Sequence, residues 1–171
     1  LDVGSFVSPK AIPQMKDTAV VLENIDFSEC KSELLVIVAN LRGALEAVKY
    51  DAITYIGFPL SVSENFQMRN THKTQEEALF LLDQLIEVCN NSGKKLVVYL
   101  SMGFGNPYGD PWSVEIVTNW IDLLAQKGIQ IISLSDTVGS AKTNDISEIF
   151  KAAINQYSEI EIGAHFHTQP E

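Results

Sequence analysis

The feature that most constrains the fold is a regular alternation of short apolar runs with longer amphipathic segments. The short runs are rich in Val, Ile, Leu and Tyr, which is typical of strands that helices cover on both faces. Because the segments between these runs have the apolar periodicity of helices, the pattern indicates parallel βαβ units. The six predicted strands are Leu1–Phe6, Leu34–Ala39, Ala52–Phe58, Lys95–Ser101, Ile129–Leu134 and Glu161–Phe166.

Local signals predict where the intervening helices begin and end. Thr74-Gln75-Glu76-Glu77 is a capping box, in which the Thr hydroxyl and the Glu carboxylate accept from free N–H groups of the first turn. Gly93 is expected to end that helix. Asp110-Pro111 predicts the start of the next one, because proline is favoured at the first helical position. Further helices are expected over Lys16–Ile25, after Asn40 and through residues 146–157.

Six parallel strands can form most of a (β/α)8 TIM barrel or an open doubly wound sheet. The open sheet usually carries a glycine-rich phosphate loop, and the sequence contains neither G-x-G-x-x-G nor G-x-x-x-x-G-K. A barrel predicts polar residues at the carboxyl ends of its strands, where the active site lies. Each predicted strand has them: Ser5; Asn40; Ser61, Ser63 and Glu64; Ser101; Ser135 and Asp136; His165 and His167. We therefore predict an α/β TIM barrel.

Charge and composition exclude several kinds of partner. A net charge of −10 and a pI near 4.7 argue against nucleic acid and anionic membranes, which both need a basic face. No apolar run approaches the roughly 18 residues of a membrane span. Cys30 and Cys89 lack the spacing of a metal site and suit a reducing compartment, so we expect a cytoplasmic protein.

Both ends of the sequence coincide with predicted strands, and Leu1 stands where an initiator Met would be expected. We therefore expect both ends to be cut. Residues 1–171 are expected to form a single, incomplete TIM-barrel domain.

His165 and His167 are the strongest candidates for metal ligands. They are two residues apart in a predicted strand, so their side chains point to one side and Phe166 to the other. At a barrel mouth the two imidazoles would supply part of an octahedral or tetrahedral site. The alternative is one catalytic or hydrogen-bonded histidine beside an incidental neighbour. His72 lies in a polar segment and is expected to face solvent.

Two aspartates and one loop are further candidates. Asp136 directly follows a predicted buried strand, where a carboxylate can orient a ligand, bind a metal-bound water or cap the next turn. Asp2 lies within a predicted strand, where a charge needs a partner unless it is exposed. The Gly103–Gly109 loop could approach a substrate with its backbone or simply connect two elements.

These stretches together resemble the 3-hydroxy-3-methylglutaryl-CoA lyase family, within the larger group of barrel lyases and Claisen-condensing enzymes. The most specific stretch is Ser5–Lys10 with Pro13-Gln14-Met15, because it belongs to the lyase branch. The other matching stretches follow in the family's order: Asn40–Gly43, Ser63–Phe66 with Arg69-Asn70, Asn106–Tyr108, Ser133–Gly139 and His165–Thr168.

The resemblance implies a chemistry and a set of site residues. His165 and His167 would be two ligands of a catalytic Mg²⁺ or Mn²⁺, and Asp2 and Asp136 would be acidic active-site residues. The reaction would be a retro-Claisen cleavage of an acyl-CoA, HMG-CoA, to acetyl-CoA and acetoacetate. The resemblance also allows a homodimer. The residues expected to line the substrate site are Asn40, Ser63, Glu64, Ser101 and Thr137.

The departures from the family pattern limit these expectations. The family's Arg-Asp pair on its first strand is absent, as is its catalytic cysteine in a glycine-rich loop after the last strand. The chain would therefore cover the second to seventh strands, and we expect its 171 residues by themselves to be inactive. Asn106 stands where many members have Cys. Two alternatives remain: a related aldolase or Claisen-condensing barrel enzyme, and a non-catalytic α/β domain that binds a metal or ligand.

Overall fold

A computed structural model describes residues 1–168, in which strands and helices alternate as the sequence predicts. A short 3₁₀ turn, Pro13–Met15, precedes the first helix. The strands are β1 Asp2–Ser5, β2 Leu34–Ile37, β3 Ile53–Ser61, β4 Lys95–Ser101, β5 Ile131–Asp136 and β6 Glu161–Phe166. The helices are α1 Thr18–Asn24, α2 Leu41–Ala47, α3 Glu64–Thr71, α4 Gln75–Ser92, α5 Val114–Gln126 and α6 Thr143–Gln156.

The strands form a six-stranded sheet in the order β1-β2-β3-β4-β5-β6. The pairs β1–β2, β2–β3, β4–β5 and β5–β6 are parallel, which confirms the predicted α/β architecture. The prediction ended β3 at Phe58, at the residue before Pro59. The strand in fact continues to Ser61, and both Leu60 and Ser61 are buried. Just after it, the N–H of Val62 donates to the Ser101 carbonyl over 3.1 Å.

The chain divides into two compact units, and the first comprises residues 1–58 and 80–96. Its core consists of aliphatic side chains from β2, β3, α2 and α4, with Val36, Ala44 and Leu82 fully buried. Lys94, just after α4, donates from Nζ to the carbonyls of Tyr50 and Ile53 over 3.1 and 2.6 Å. This lysine therefore caps the turn between α2 and β3.

The second unit comprises residues 59–79 and the chain from Val97 onward. Its apolar core lies between β4, β5 and the helices α5 and α6, with Leu100, Ile121 and Ile132 fully buried. β6 differs from the other strands because most of its residues are exposed. The prediction of one domain over the whole chain stays a prediction.

The helix ends confirm one predicted signal and correct another. In the predicted capping box, the Thr74 N–H donates to Glu77 and the Glu77 N–H donates to the Thr74 hydroxyl. The predicted start of a helix at Asp110-Pro111 is wrong: α5 begins at Val114, and the Ser113 hydroxyl caps it. Asp110 instead binds distant residues through its side chain.

Helix α3 was not predicted, because its exposed, polar sequence lacks an apolar stripe. It begins after Ser63, whose hydroxyl accepts from the Phe66 N–H, and it ends at His72 in the left-handed conformation. Within residues 1–168, no helix is long and apolar enough to cross a membrane.

Candidate functional site

The two histidines of the H-x-H pattern converge at the carboxyl end of β6. Their Nε2 atoms are 3.1 Å apart, and both residues are exposed. The ring of Tyr99 contacts His165 edge-on at a centroid distance of 5.6 Å. Phe166 packs instead against the buried Phe104, at 5.4 Å between centroids. The strand therefore presents both imidazoles together and the phenylalanine elsewhere, as the alternation of side chains in a strand requires.

The separation of the two Nε2 atoms suits a shared divalent ion. Metal–nitrogen bonds of about 2.1 Å at right angles place adjacent ligand atoms about 3.0 Å apart. The observed 3.1 Å is close to that value. Across residues 1–168, no group of three or more His, Cys, Asp or Glu side chains is arranged to hold a metal. The same distance also fits a hydrogen bond between the two rings, so a metal site at His165 and His167 stays a prediction.

The turn after β5 holds one of these histidines. The Thr137 carbonyl lies 2.7 Å from His167 Nδ1, and the Asp136 carbonyl accepts from the His167 N–H over 3.3 Å. The Thr137 hydroxyl accepts from the N–H of Met102, at the end of β4, over 2.9 Å. The turn therefore contacts both the end of β4 and the residue after β6, and Thr137 makes hydrogen bonds in both directions.

The Asp136 side chain is used within its own turn. The residue is 5% exposed, and its two carboxylate oxygens accept from the N–H groups of Ser140 and Ala141, over 2.8 and 3.0 Å. This is the capping arrangement that the sequence allowed as one alternative. A catalytic role for this carboxylate stays a prediction.

A second carboxylate, Asp110, organises the segment that follows β3. It accepts from the Ser63 hydroxyl and from both the backbone N–H and the side-chain amide of Asn65. These hydrogen bonds, first that of Ser63 and then that of the Asn65 side chain, lower the pKa of Asp110. This role was not predicted, because nothing in the local pattern around Asp110 indicates a partner more than 40 residues away.

Asp110, Ser63 and Asn65 form what we call the Asp110 cluster, so the predicted substrate residue Ser63 is one of its members. It is fully buried, and its hydroxyl both accepts from the Phe66 N–H and donates to Asp110. Glu64 is exposed and accepts from the Gln75 N–H over 3.2 Å. Both residues therefore stabilise helix starts, and their contact with substrate stays a prediction.

An aromatic cluster lies beside the Asp110 cluster. The rings of Phe66 and Tyr108 stack at a centroid distance of 6.2 Å, and the Arg69 guanidinium lies 5.0 Å above the Tyr108 ring. The Asn106 side chain accepts from the N–H groups of Tyr108 and Asp110, which fixes the course of the predicted glycine-rich loop.

Ser101 ends β4 in a buried position, 7% exposed. Its carbonyl accepts from the Val62 N–H and, over 3.4 Å, from the Ser61 hydroxyl. The backbone of this predicted substrate residue thus joins the ends of β3 and β4.

The first unit holds the remaining predicted site residues and a cavity of about 210 Å³. Asn40 lines it and caps α2 by accepting from the Gly43 N–H over 2.9 Å. Ser5 also lines it; its hydroxyl is buried and has no hydrogen-bond partner among the described residues. A side chain at Gly43 would collide with the Phe6 carbonyl. Asp2 is exposed and accepts from the Gly4 N–H over 3.3 Å.

Known proteins of one family match this chain along most of its length. A family model described as HMGL-like matches residues 9–169. Hydroxymethylglutaryl-CoA lyase YngG of Bacillus subtilis is 31% identical over 170 residues, which cover 98% of this chain and 55% of that protein. The hydroxymethylglutaryl-CoA lyase of Pseudomonas mevalonii is 25% identical over 167 residues, with 98% and 55% coverage. The chain thus spans about half the length of the curated relatives it matches.

Solved structures give the same result. The crystal structure of the Bacillus subtilis HMG-CoA lyase matches with a TM-score of 0.87 and 31% identity, covering 95% of this chain and 54% of that one. An Acinetobacter baumannii HMG-CoA lyase in complex with coenzyme A and 3-methylmalate matches with a TM-score of 0.87 and 27% identity, covering 96% and 53%. These matches confirm the predicted TIM-barrel fold, of which the chain covers part. The chain belongs to the HMGL-like family.

Proposed function

We propose that the whole protein is an acyl-CoA lyase of the hydroxymethylglutaryl-CoA lyase type, which cleaves HMG-CoA to acetyl-CoA and acetoacetate. The observation that carries this proposal is the convergence of His165 and His167, 3.1 Å apart at Nε2, in a chain of this family. The substrate class is supported by the coenzyme A bound to the Acinetobacter baumannii relative. A cytoplasmic location and a homodimer stay predictions; relatives include enzymes named cytoplasmic and mitochondrial.

The proposed reaction is a retro-Claisen cleavage. The tertiary hydroxyl of the substrate loses its proton to a base, and the bond between its carbon and the thioester's α-carbon breaks. The products are the ketone of acetoacetate and the enolate of acetyl-CoA, which then takes up a proton. A bound Mg²⁺ or Mn²⁺ supplies Lewis-acid polarisation of the substrate oxygens.

Each predicted site residue has a proposed part in this reaction. His165 and His167 hold the metal, while Asp136 and Asp2 are the candidates for proton transfer. Two backbone N–H groups, those of Ser140 and Ala141, orient the Asp136 carboxylate in the turn after β5, which supports its candidacy. The residues proposed to orient the acyl-CoA are Asn40, Ser63, Glu64, Ser101 and Thr137.

The first test is to measure acetoacetate formed from HMG-CoA by the complete protein with added Mg²⁺ or Mn²⁺. His165→Ala and His167→Ala should each lower turnover by more than about 100-fold and weaken Mn²⁺ binding, because each removes a ligand. His72→Asn is the matched control: this exposed histidine ends α3 in a left-handed conformation that Asn tolerates. Unchanged Mn²⁺ affinity in the His165 variant would refute the ligand assignment.

The 171 residues by themselves are expected to give no acetoacetate, because the family's Arg-Asp pair and catalytic cysteine are not among them. Turnover by this chain alone would contradict that expectation. If the complete protein instead condenses two substrates, it is a Claisen-type relative rather than a lyase.

A further inference from the structure

Thr137 makes hydrogen bonds in two directions. Its hydroxyl accepts from the Met102 N–H over 2.9 Å, and its carbonyl lies 2.7 Å from His167 Nδ1. The first contact reaches back to the end of β4 and the second reaches forward to the residue just after β6. One residue therefore contacts both a buried loop and a histidine ring.

The second contact determines where the proton of the neutral His167 ring lies. A carbonyl oxygen only accepts hydrogen bonds, so Nδ1 must be the donor. The Nε2 lone pair is then free to accept, and it faces Nε2 of His165 at 3.1 Å. The same lone pair is the one that a divalent cation would use, since a bound imidazole usually donates its other N–H to a neighbouring acceptor.

In the first contact, the Thr137 hydroxyl binds Met102, a residue with an unusual backbone conformation. Met102 is fully buried and has a φ of 58°, a left-handed conformation that residues other than glycine rarely adopt. The next residue is held as well: the Gly103 N–H donates to the Ser135 carbonyl over 3.1 Å, and the Gly103 carbonyl accepts from the Trp112 indole over 3.1 Å. Strained backbone persists where its surroundings determine it, and it is concentrated at functional sites.

The geometry points to Thr137 as a positioning residue that holds His167 in the Nδ1–H form and aims its Nε2 at His165, with the Met102 N–H as its anchor. This inference rests on the proposed function, because a fixed tautomer matters most if Nε2 of His167 binds a cation. It assigns to Thr137 a role that acts through His167 and does not require contact with substrate.

The test compares Thr137→Val, which removes the hydroxyl at nearly constant shape, with Thr137→Ser, which keeps it. Two-bond ¹H–¹⁵N correlation spectra of the histidine rings, recorded at about pH 8 where an ordinary histidine is neutral, report the tautomer directly. We expect a single Nδ1–H form of His167 in the parent chain and in the Ser variant, and a mixture of both tautomers in the Val variant.

Mn²⁺ binding, followed by electron paramagnetic resonance of the complete protein, gives a second readout. The Val variant should bind Mn²⁺ about tenfold more weakly, as for other residues that orient a ligand, and the Ser variant should match the parent. Thr137→Ala provides a second removal of the hydroxyl if the Val variant does not fold. An Nε2–H form of His167 in the parent, or a spectrum unchanged by loss of the hydroxyl, would overturn the inference.

These outcomes are separable from the proposed function. If the tautomer depends on Thr137 but HMG-CoA is not cleaved by the complete protein, the positioning role stands and the proposed reaction fails. If HMG-CoA is cleaved while the tautomer is insensitive to Thr137, the reverse holds.

Discussion

Two carboxylates of the second unit, Asp110 and Asp136, are fixed in opposite ways. Asp136 binds backbone N–H groups four and five residues further along its own turn. Asp110 binds Ser63 and Asn65, which lie 47 and 45 residues earlier in the chain. The first arrangement can form from local sequence alone, whereas the second exists only after β3 and β4 have brought two loops together.

The two arrangements predict different effects of removing each carboxylate. Asp110 joins two segments, so its removal should loosen the fold. Asp136 is held by its own turn next to the histidine that binds Thr137. Its removal should therefore affect the reaction more than the fold. The following predictions test this contrast, from the largest effect to the smallest.

The strongest contrast is expected between two asparagine variants of the complete protein. Asp136→Asn should lower turnover of HMG-CoA by about 10²–10⁴-fold, the usual contribution of a proton-transferring residue. Asp110→Asn should keep turnover within a few-fold of the parent while lowering the free energy of unfolding. Asp51→Asn, an exposed aspartate before β3, is the control for both measurements. Full turnover in the Asp136 variant would remove it from the catalytic set.

A smaller difference, in the free energy of unfolding, is expected between variants of two serines that both cap a helix. The hydroxyls of Ser63 and Ser113 each accept from a backbone N–H over 3.1 Å at the start of a helix. Ser113→Ala should lower the free energy of unfolding by about 1 kcal/mol, as for a typical cap. Ser63→Ala should cost more, because it also removes the hydrogen bond to Asp110. Urea denaturation measures both, and equal losses would show that the bond to Asp110 adds nothing to stability.

The smallest predicted effect is a change in the free energy of unfolding at acidic pH. Hydrogen bonds from Ser63 and Asn65 hold the pKa of Asp110 below its ordinary value of 3.8. Between the lowered folded pKa and 3.8, the unfolded chain binds more protons, so stability rises with pH in that window. The contribution is complete above 3.8 and is lost as the pH falls through the folded pKa. The stability difference between the parent and Asp110→Asn should therefore shrink below about pH 4 in urea titrations; a constant difference would contradict the shift.

The same contrast between local and distant contacts explains what the sequence could predict. The capping box at Thr74 and the convergence of His165 and His167 depend on spacings of three and two residues, and the structure shows both. The alternation of elements also predicted six strands separated by helices, and the structure contains them. These features arise from short-range geometry that a single sequence displays.

The wrong or missing predictions concern residues whose conformation depends on partners far away in the sequence. Asp110-Pro111 has the local pattern of a helix start, but the carboxylate binds Ser63 and Asn65 and the helix begins at Val114. The left-handed backbone of Met102 was not expected, because the sequence gives no local reason for it. Its N–H is held by Thr137, 35 residues later. No local pattern could indicate either contact.

Gly43 has a consequence for how this part of the chain can change. Its first-turn position in α2 leaves room for a hydrogen atom beside the Phe6 carbonyl, and any larger group would meet that oxygen. Phe6 belongs to the stretch from Ser5 to Lys10 that is most specific for the lyase branch. A redesign that enlarges residue 43 must therefore move the Phe6 backbone, and the cavity that both line with Asn40 changes shape as well.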